Sequence, residues 1–265
     1  MRPLNVDDIP AAFQLSAEAG WNQTEEDWHT LLGLAPKTCF GIEIQGQLAS
    51  TTTLICYGLR LGWIGMVLTR SDFRRRGLAR RLLQHTLNVA DTMGVETLKL
   101  DATDQGQPLY LRCGFRGEHQ IERWSLSGGE TAQLPSVPPA PFVWAESDLK
   151  YFGADRRPLL GRLAQRNSPL RHNGAYLFAR PGRVCAYIGP CVSGNPGHAR
   201  TLISDCLENA GGSWFWDLFP GNRNAVAIAR ELRFMPQRHL LRMSRGKKLE
   251  QHIDATYAIA GFELG

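Results

Sequence analysis

The chain has 265 residues, enough for one large or two ordinary domains, and its 43% hydrophobic and 21% charged residues are those of a globular protein. No run approaches the roughly 18 apolar residues of a membrane span, and MRPLNVDDIP lacks the apolar core of a signal peptide, so a cytoplasmic protein without a membrane partner is expected. The net charge of +5 sits in the second half, where 17 basic residues face 11 acidic ones over 128–265, but these arginines are scattered and not interleaved with aromatics, which argues against a nucleic-acid partner.

In chain order, Val6 to Pro10 reads as a short strand passing into a helix from Pro10 to about Ala19. Gly20-Trp21-Asn22-Gln23 interrupts it, and Thr24 with Asp27 three residues on approximates a capping box for a second helix. Hairpin strands are expected over 38–44 and 48–57, turning at Gln45-Gly46-Gln47. A central strand over 59–68 carries the apolar run Trp63 to Leu68, which has the composition of a buried strand. A short polar turn leads into Arg74-Arg75-Arg76-Gly77-Leu78-Ala79. From there Ala79, Leu82, Leu83, Thr86, Ala90 and Met93 share one helical face, and Gly94 stops the helix. A basic, glycine-bearing turn that opens a helix straight after a strand suits a phosphate. The first helical amides have no internal partner and point into the turn with the positive end of the dipole. A further strand over 96–102 and the segment Gly106 to Phe115 follow. The six cysteines contain no Cys-x-x-Cys pair and the seven histidines no ligand spacing, so reduced core thiols and no metal are expected.

The pattern Arg74-x-x-Gly77-x-Ala79 resembles the pyrophosphate loop of the GNAT N-acetyltransferase superfamily, and Tyr110 with Gly114-Phe115 resembles the Tyr-x-x-x-Gly-Phe segment that closes the cofactor site in many of its members. The expected order β-α-α-β-β-β-α-β-α-β, ending near Ser125, agrees with a GNAT domain over residues 1–127. The resemblance implies a class of fold: α/β (α+β), a mixed, mostly antiparallel twisted sheet flanked by helices. It also implies acetyl-CoA as acyl donor, lying between two diverging strands. Backbone groups of Met66, Val67 and Leu68 would hold the pantetheine and the acetyl carbonyl. Arg74, Arg75, Arg76, Gly77, Leu78, Ala79 and Arg80 would bind the pyrophosphate through amides and arginine charge.

From Ser127 the sequence turns rich in proline and glycine, which marks a linker over 128–141. Beyond it the chain echoes itself. Ile188-Gly189 matches Ile64-Gly65, Gly197-x-Ala199 matches Gly77-x-Ala79 at an offset of 120, and Phe234 stands where Phe115 stood at an offset of 119. Residues 142–265 therefore read as a second GNAT-like domain, degenerate because Gly194-Asn195-Pro196 replaces the three arginines and Arg233 replaces the glycine before phenylalanine. The half resembles the carboxy-terminal GNAT-like domain of a subset of bacterial acetyltransferases, down to the closing Tyr257-Ala-Ile-Ala-Gly-Phe-Glu-Leu-Gly265; segments 20–23, 64–67 and 100–103 match that subset too.

Tyr110 is the candidate general acid, since a phenol with pKa about 10 is protonated at neutral pH and can donate to a departing thiolate. The attacking amine must lose a proton, and Asp101, at the carboxyl end of its strand, is the candidate base. Glu25, Glu26 and Asp27 could act through water or attract a cationic acceptor. Trp21, Asn22, Glu25 and Trp28 lie in the helical region that flanks the acceptor in GNAT folds, and are expected at the acceptor site. Asp217, Asn222 and Asn224 could line a composite cleft, though the two asparagines serve equally as helix caps. The expected reaction is direct attack of a primary amine on the thioester. The alternatives are a non-catalytic acyl-CoA-binding regulator and a nucleic-acid-associated protein using the basic half.

Overall fold

The computed structural model describes residues 1–129, 132–135, 145–208 and 210–265. Its first half runs β1 (Arg2–Pro3), α1 (Ile9–Glu18), α2 (Glu25–Leu34), β2 (Cys39–Ile44), β3 (Gln47–Tyr57), β4 (Leu61–Thr69), α3 (Leu78–Met93), β5 (Thr97–Ala102), α4 (Gln107–Arg112) and β6 (Arg116–Leu126). The order is the expected one, but the first strand lies earlier. Asn5 and Asp8 form a capping box that winds Val6–Asp8 into a 3-10 turn, so only Arg2–Pro3 pairs with β2. The second box forms as expected: the Thr24 amide donates to Asp27 at 2.9 Å and the Asp27 amide to Thr24 Oγ1 at 3.2 Å.

The second half runs α5 (Ala145–Phe152), α6 (Arg157–Arg166), β7 (Leu170–His172), β8 (Ala175–Arg180), β9 (Ala186–Val192), α7 (Pro196–Leu207), β10 (Trp214–Leu218), α8 (Arg223–Glu231), β11 (Met235–Gly246) and β12 (Thr256–Ala258). Of the expected linker, residues 130–131 and 136–141 lie outside the described residues. Among the described residues no helix is long and apolar enough to cross a membrane.

The two halves share one sheet of twelve strands, in the order β1-β2-β3-β4-β5-β11-β6-β10-β9-β8-β7, with β12 set against β9. Each half gives its last long strand to the other. β11 lies antiparallel to β5, and β6 lies antiparallel to β10. Separate sheets would each leave an unpaired edge; the exchange satisfies both edges and pairs β6 with β11 down the middle. Among the described residues only β4–β5 and β9–β10 are parallel.

Two buried ion pairs pin the exchange. Arg242 on β11 sits opposite Asp101 on β5, with its Nε and Nη2 each 2.9 Å from a carboxylate oxygen. Arg123 on β6 sits opposite Asp217 on β10 in the same two-pronged way, at 2.8 and 2.6 Å. The pairs are counterparts under the sequence repeat, and both stand on aromatic rings: Arg242 over Trp63 and Phe219, Arg123 over Phe215 and Phe262.

One face of the first half packs on α3, where Leu54, Ile64, Leu83, Leu87, Leu98 and Leu100 share a core. On the other face Ile55, Tyr57 and Trp63 join a core built from α1, α2 and α6. The closing segment 259–265 lies on that second face. Tyr57 Oη donates to the Leu264 carbonyl at 2.6 Å and Trp63 Nε1 to the Phe262 carbonyl at 3.0 Å.

Candidate active site

β4 and β5 pair only where they begin, at Gly62 opposite Leu98 and Trp63 opposite Lys99. Beyond those two positions the parallel ladder stops and the strands part. β4 also carries a bulge: Thr51 faces Leu68 and Thr53 faces Gly65, so Met66 and Val67 together oppose Thr52. Met66 takes a φ of +48°, a strained conformation for an unbranched residue. Hydroxyls of β3 hold the bulge, with Thr51 Oγ1 donating to the Met66 carbonyl at 2.8 Å and Ser50 Oγ to that of Leu68 at 2.6 Å. The Met66 and Leu68 side chains are core, so what this strand offers a ligand is peptide groups.

After β4 the chain makes a 3-10 turn, Ser71–Phe73, and Arg74 Nε returns to the Thr69 carbonyl at 3.2 Å. Arg75 and Gly77 both have left-handed φ, +62° and +74°. This pair of turns swings the chain into α3 without any side-chain cap. Among the described residues the backbone amides of residues 75–80 find no protein acceptor, and the first bond returning to the loop is Arg81 N–H to the Gly77 carbonyl at 3.0 Å. Arg74, Arg75, Arg76 and Arg80 are exposed around those amides, while Leu78 is buried. The loop thus combines unpaired donors, the helix dipole and positive charge, the features an anion is drawn to.

The corresponding place in the second half is closed twice over. Asn195 caps α7, its Oδ1 accepting from the amides of Gly197 at 2.8 Å and His198 at 3.3 Å. β9 and β10 also part after a short parallel ladder, but β12 fills the gap, antiparallel to β9, and the Ile259 amide donates to the Asp217 carbonyl at 3.0 Å. Trp216 Nε1 holds the Tyr257 carbonyl at 2.7 Å. Asn222, besides capping α8 through the Ala225 amide, gives its Nδ2 to the carbonyls of Ile253, Asp254 and Thr256. The chain's own strand lies where the first half leaves space.

Tyr110 lies on α4, edge-on to Phe115, in the α3-side core. Its hydroxyl has no hydrogen-bond partner among the described residues, and burial pushes its pKa above the ordinary phenol value. Asp101 is placed differently from a free base. Its carboxylate is wholly buried and gripped at both oxygens by Arg242; burial raises its pKa and the arginine opposes that rise.

The four expected acceptor residues do not converge on a pocket. Trp28 is fully buried, its Nε1 donating to Ser16 Oγ at 3.2 Å, because the helix phase set by the Thr24 cap turns it into the core. Asn22 tethers the halves: its Oδ1 accepts from the amides of Val184 and Cys185, and its Nδ2 donates to the Cys185 carbonyl. Trp21 is half-buried and its carbonyl accepts from Arg183 Nε at 2.9 Å; Glu25 is exposed in the first turn of α2. The sequence reading passed over Arg123, Arg242 and Glu263. Glu263 alone carried a signal, a single charge inside the apolar closing stretch AIAGFELG, whereas Arg123 and Arg242 sit in polar strands with nothing local to mark them. Among the described residues no His, Cys, Asp and Glu side chains gather as a metal site would need.

Residues 6–115 match the Acetyltransferase (GNAT) family model, and residues 145–258 match the model of an Acetyltransferase (GNAT) domain, so the two together take in most of the chain. The chain is 29% identical over 168 residues to YitH, an uncharacterized N-acetyltransferase of Bacillus subtilis (strain 168); the match covers 60% of this chain and 58% of that protein's length. Among solved structures, a Pyrococcus horikoshii protein superposes with a TM-score of 0.83 at 21% identity, over 100% of this chain and 95% of the other. A GCN5-related N-acetyltransferase from Sphaerobacter thermophilus does so with a TM-score of 0.66 at 13% identity, over 94% and 96% of the two chains. At those identities the likeness is one of fold.

Proposed function

Because the chain belongs to the GNAT acetyltransferase family, we propose that it moves an acetyl group from acetyl-CoA to a primary amine by direct attack. The observation that carries this reading is the parting of β4 and β5 immediately before a helix whose first amides are unpaired. Bound CoA supplies an activated acetyl thioester; the rest is done by this chain. Amides 75–80 and the surrounding arginines hold the diphosphate. The exposed peptide edges of β4 and β5 pair with the pantetheine arm as a strand would. A peptide N–H at the Met66–Leu68 bulge donates to the acetyl oxygen as negative charge develops there, an effect typically of about 3–4 kcal/mol. The Tyr110 hydroxyl donates its proton to the departing sulfur.

Two outcomes follow. Calorimetry should find one acetyl-CoA per chain, since β12 occupies the second cleft; two equivalent sites would mean that β12 gives way. Tyr110→Phe should lower turnover at least tenfold with little change in acetyl-CoA affinity. Because the Tyr110 pKa is raised, its proton stays in place through neutral and mildly alkaline pH, so the wild-type rate should show no fall at pH 8–9 that the Phe variant abolishes. The reading as a whole is tested by thiol release from acetyl-CoA with a panel of primary amines; no release above the uncatalysed rate would refute it.

A further inference from the structure

Two segments from opposite ends of the sequence meet on the inner face of β4. Gln23 lies in the loop before α2, and Glu263 lies in the closing segment; Gln23 Nε2 donates to Glu263 Oε2 at 2.7 Å, with both residues buried. The Glu263 backbone rests on Gly65, one residue before the Met66 bulge. A Cβ on Gly65 would stand 3.0 Å from the Glu263 Cα and carbonyl oxygen and 3.2 Å from Thr53 Oγ1, which explains the glycine there. Around this contact an amide oxygen and a hydroxyl, Gln23 Oε1 and Thr53 Oγ1, are buried without a hydrogen-bond partner among the described residues, and each can accept. Stranded acceptors beside a carboxylate lack one thing, a group rich in N–H donors. A primary ammonium, with three donors and no acceptor, has that chemistry.

Resting on the acetyl-CoA reading of the β4–β5 cleft, we propose that Gln23, Thr53 and Glu263 form the acceptor-amine site and that Glu263 is the base of the reaction. The ammonium gives one proton to the Glu263 carboxylate, and the freed lone pair forms the C–N bond as the C–S bond breaks. The sulfur takes the Tyr110 proton. The second proton lost by nitrogen reaches the tyrosine through solvent, and Glu263 releases its own to bulk water. Glu263 suits this better than Asp101, which two prongs of Arg242 hold, whereas Glu263 receives a single longer contact of 3.3 Å from Arg180. The charged and titratable groups that bear on Glu263 are Arg180 of β8, Asp27 of α2, Tyr57 of β3, Arg123 of β6 and Tyr187 of β9. Burial raises the Glu263 carboxyl above the usual carboxylate range; Arg180 opposes the rise and Asp27 adds to it. A carboxyl raised in this way stabilises the fold below its unfolded pKa, about 4.3, and loses that contribution as pH climbs through its folded value. Glutamine is neutral and close to the same shape, so Glu263→Gln should fold.

The test compares hydroxylamine with methylamine as acceptors of acetyl from acetyl-CoA at pH 7. The probes are nearly the same size, but methylamine is protonated at that pH and hydroxylamine is not. Glu263→Gln should lower kcat/KM for methylamine at least a hundredfold and for hydroxylamine less than fivefold, with acetyl-CoA affinity retained by calorimetry. Equal losses on both probes, or no loss on methylamine, would overturn the assignment. A wild-type protein that acetylates neither probe would bring down the acetyltransferase reading and this inference with it, a result distinct from either of those. If Glu263→Gln fails to fold, Gln23→Leu should raise the methylamine KM at least tenfold, and an unchanged KM would overturn the site.

Discussion

Gly77→Asp weakens acetyl-CoA binding at least a hundredfold, while Gly77→Asn costs less than tenfold. Gly77 holds a φ of +74° with open space where a Cβ would go, so sterics do not forbid a side chain. Asn and Asp both tolerate the left-handed region better than other residues, and they are nearly the same shape. The difference between them is charge. A carboxylate about 5 Å from the diphosphate costs about 3 kcal/mol at an effective dielectric of 20, close to the hundredfold expected. Both variants should keep the wild-type melting temperature within a few degrees. Calorimetry of the three proteins at fixed salt measures the effect, and equal affinities for the Asn and Asp variants would mean that the loop does not hold the phosphates.

Arg242→Met should cost about 3–5 kcal/mol of folding stability, because it leaves Asp101 buried without its cation. The loss extends beyond one ion pair, since Arg242 also bridges Trp63 on β4 and Phe219 beyond β10, and so ties together strands contributed by both halves. The double variant Asp101→Leu/Arg242→Met should recover most of the loss, as replacing both members of a buried pair by apolar groups is often near neutral. Urea unfolding at pH 7 gives all three values. A loss below about 1 kcal/mol in the single variant would show that the pair behaves as a solvated one.

The stretch from β4 to α3 was legible in the sequence because each of its features is local. The apolar run, the glycine at the turn and the 3.6-residue spacing of Leu82, Leu83, Thr86 and Ala90 are fixed by neighbours in the chain. The strand exchange was not legible. The residues of β6 and β11 carry no label for the strand each will lie beside. For the same reason nothing local marks Arg123 or Arg242, whose partners appear only when the sheet sets each opposite an aspartate. Trp21, Asn22, Glu25 and Trp28 were grouped by proximity in sequence. The cap at Thr24 and the hairpin of the second half then sent them to four different environments. In the second half an asparagine cap and the half's own β12 are enough to close the cleft that the first half leaves open.

The most direct measurement is a crystal structure of the protein with acetyl-CoA. It should show diphosphate oxygens within about 2.7–3.2 Å of the amide nitrogens of residues 75–80, the pantetheine running between β4 and β5, and β12 still seated against β9. A ligand held in the second half, or one whose diphosphate avoids residues 75–80, would contradict the account.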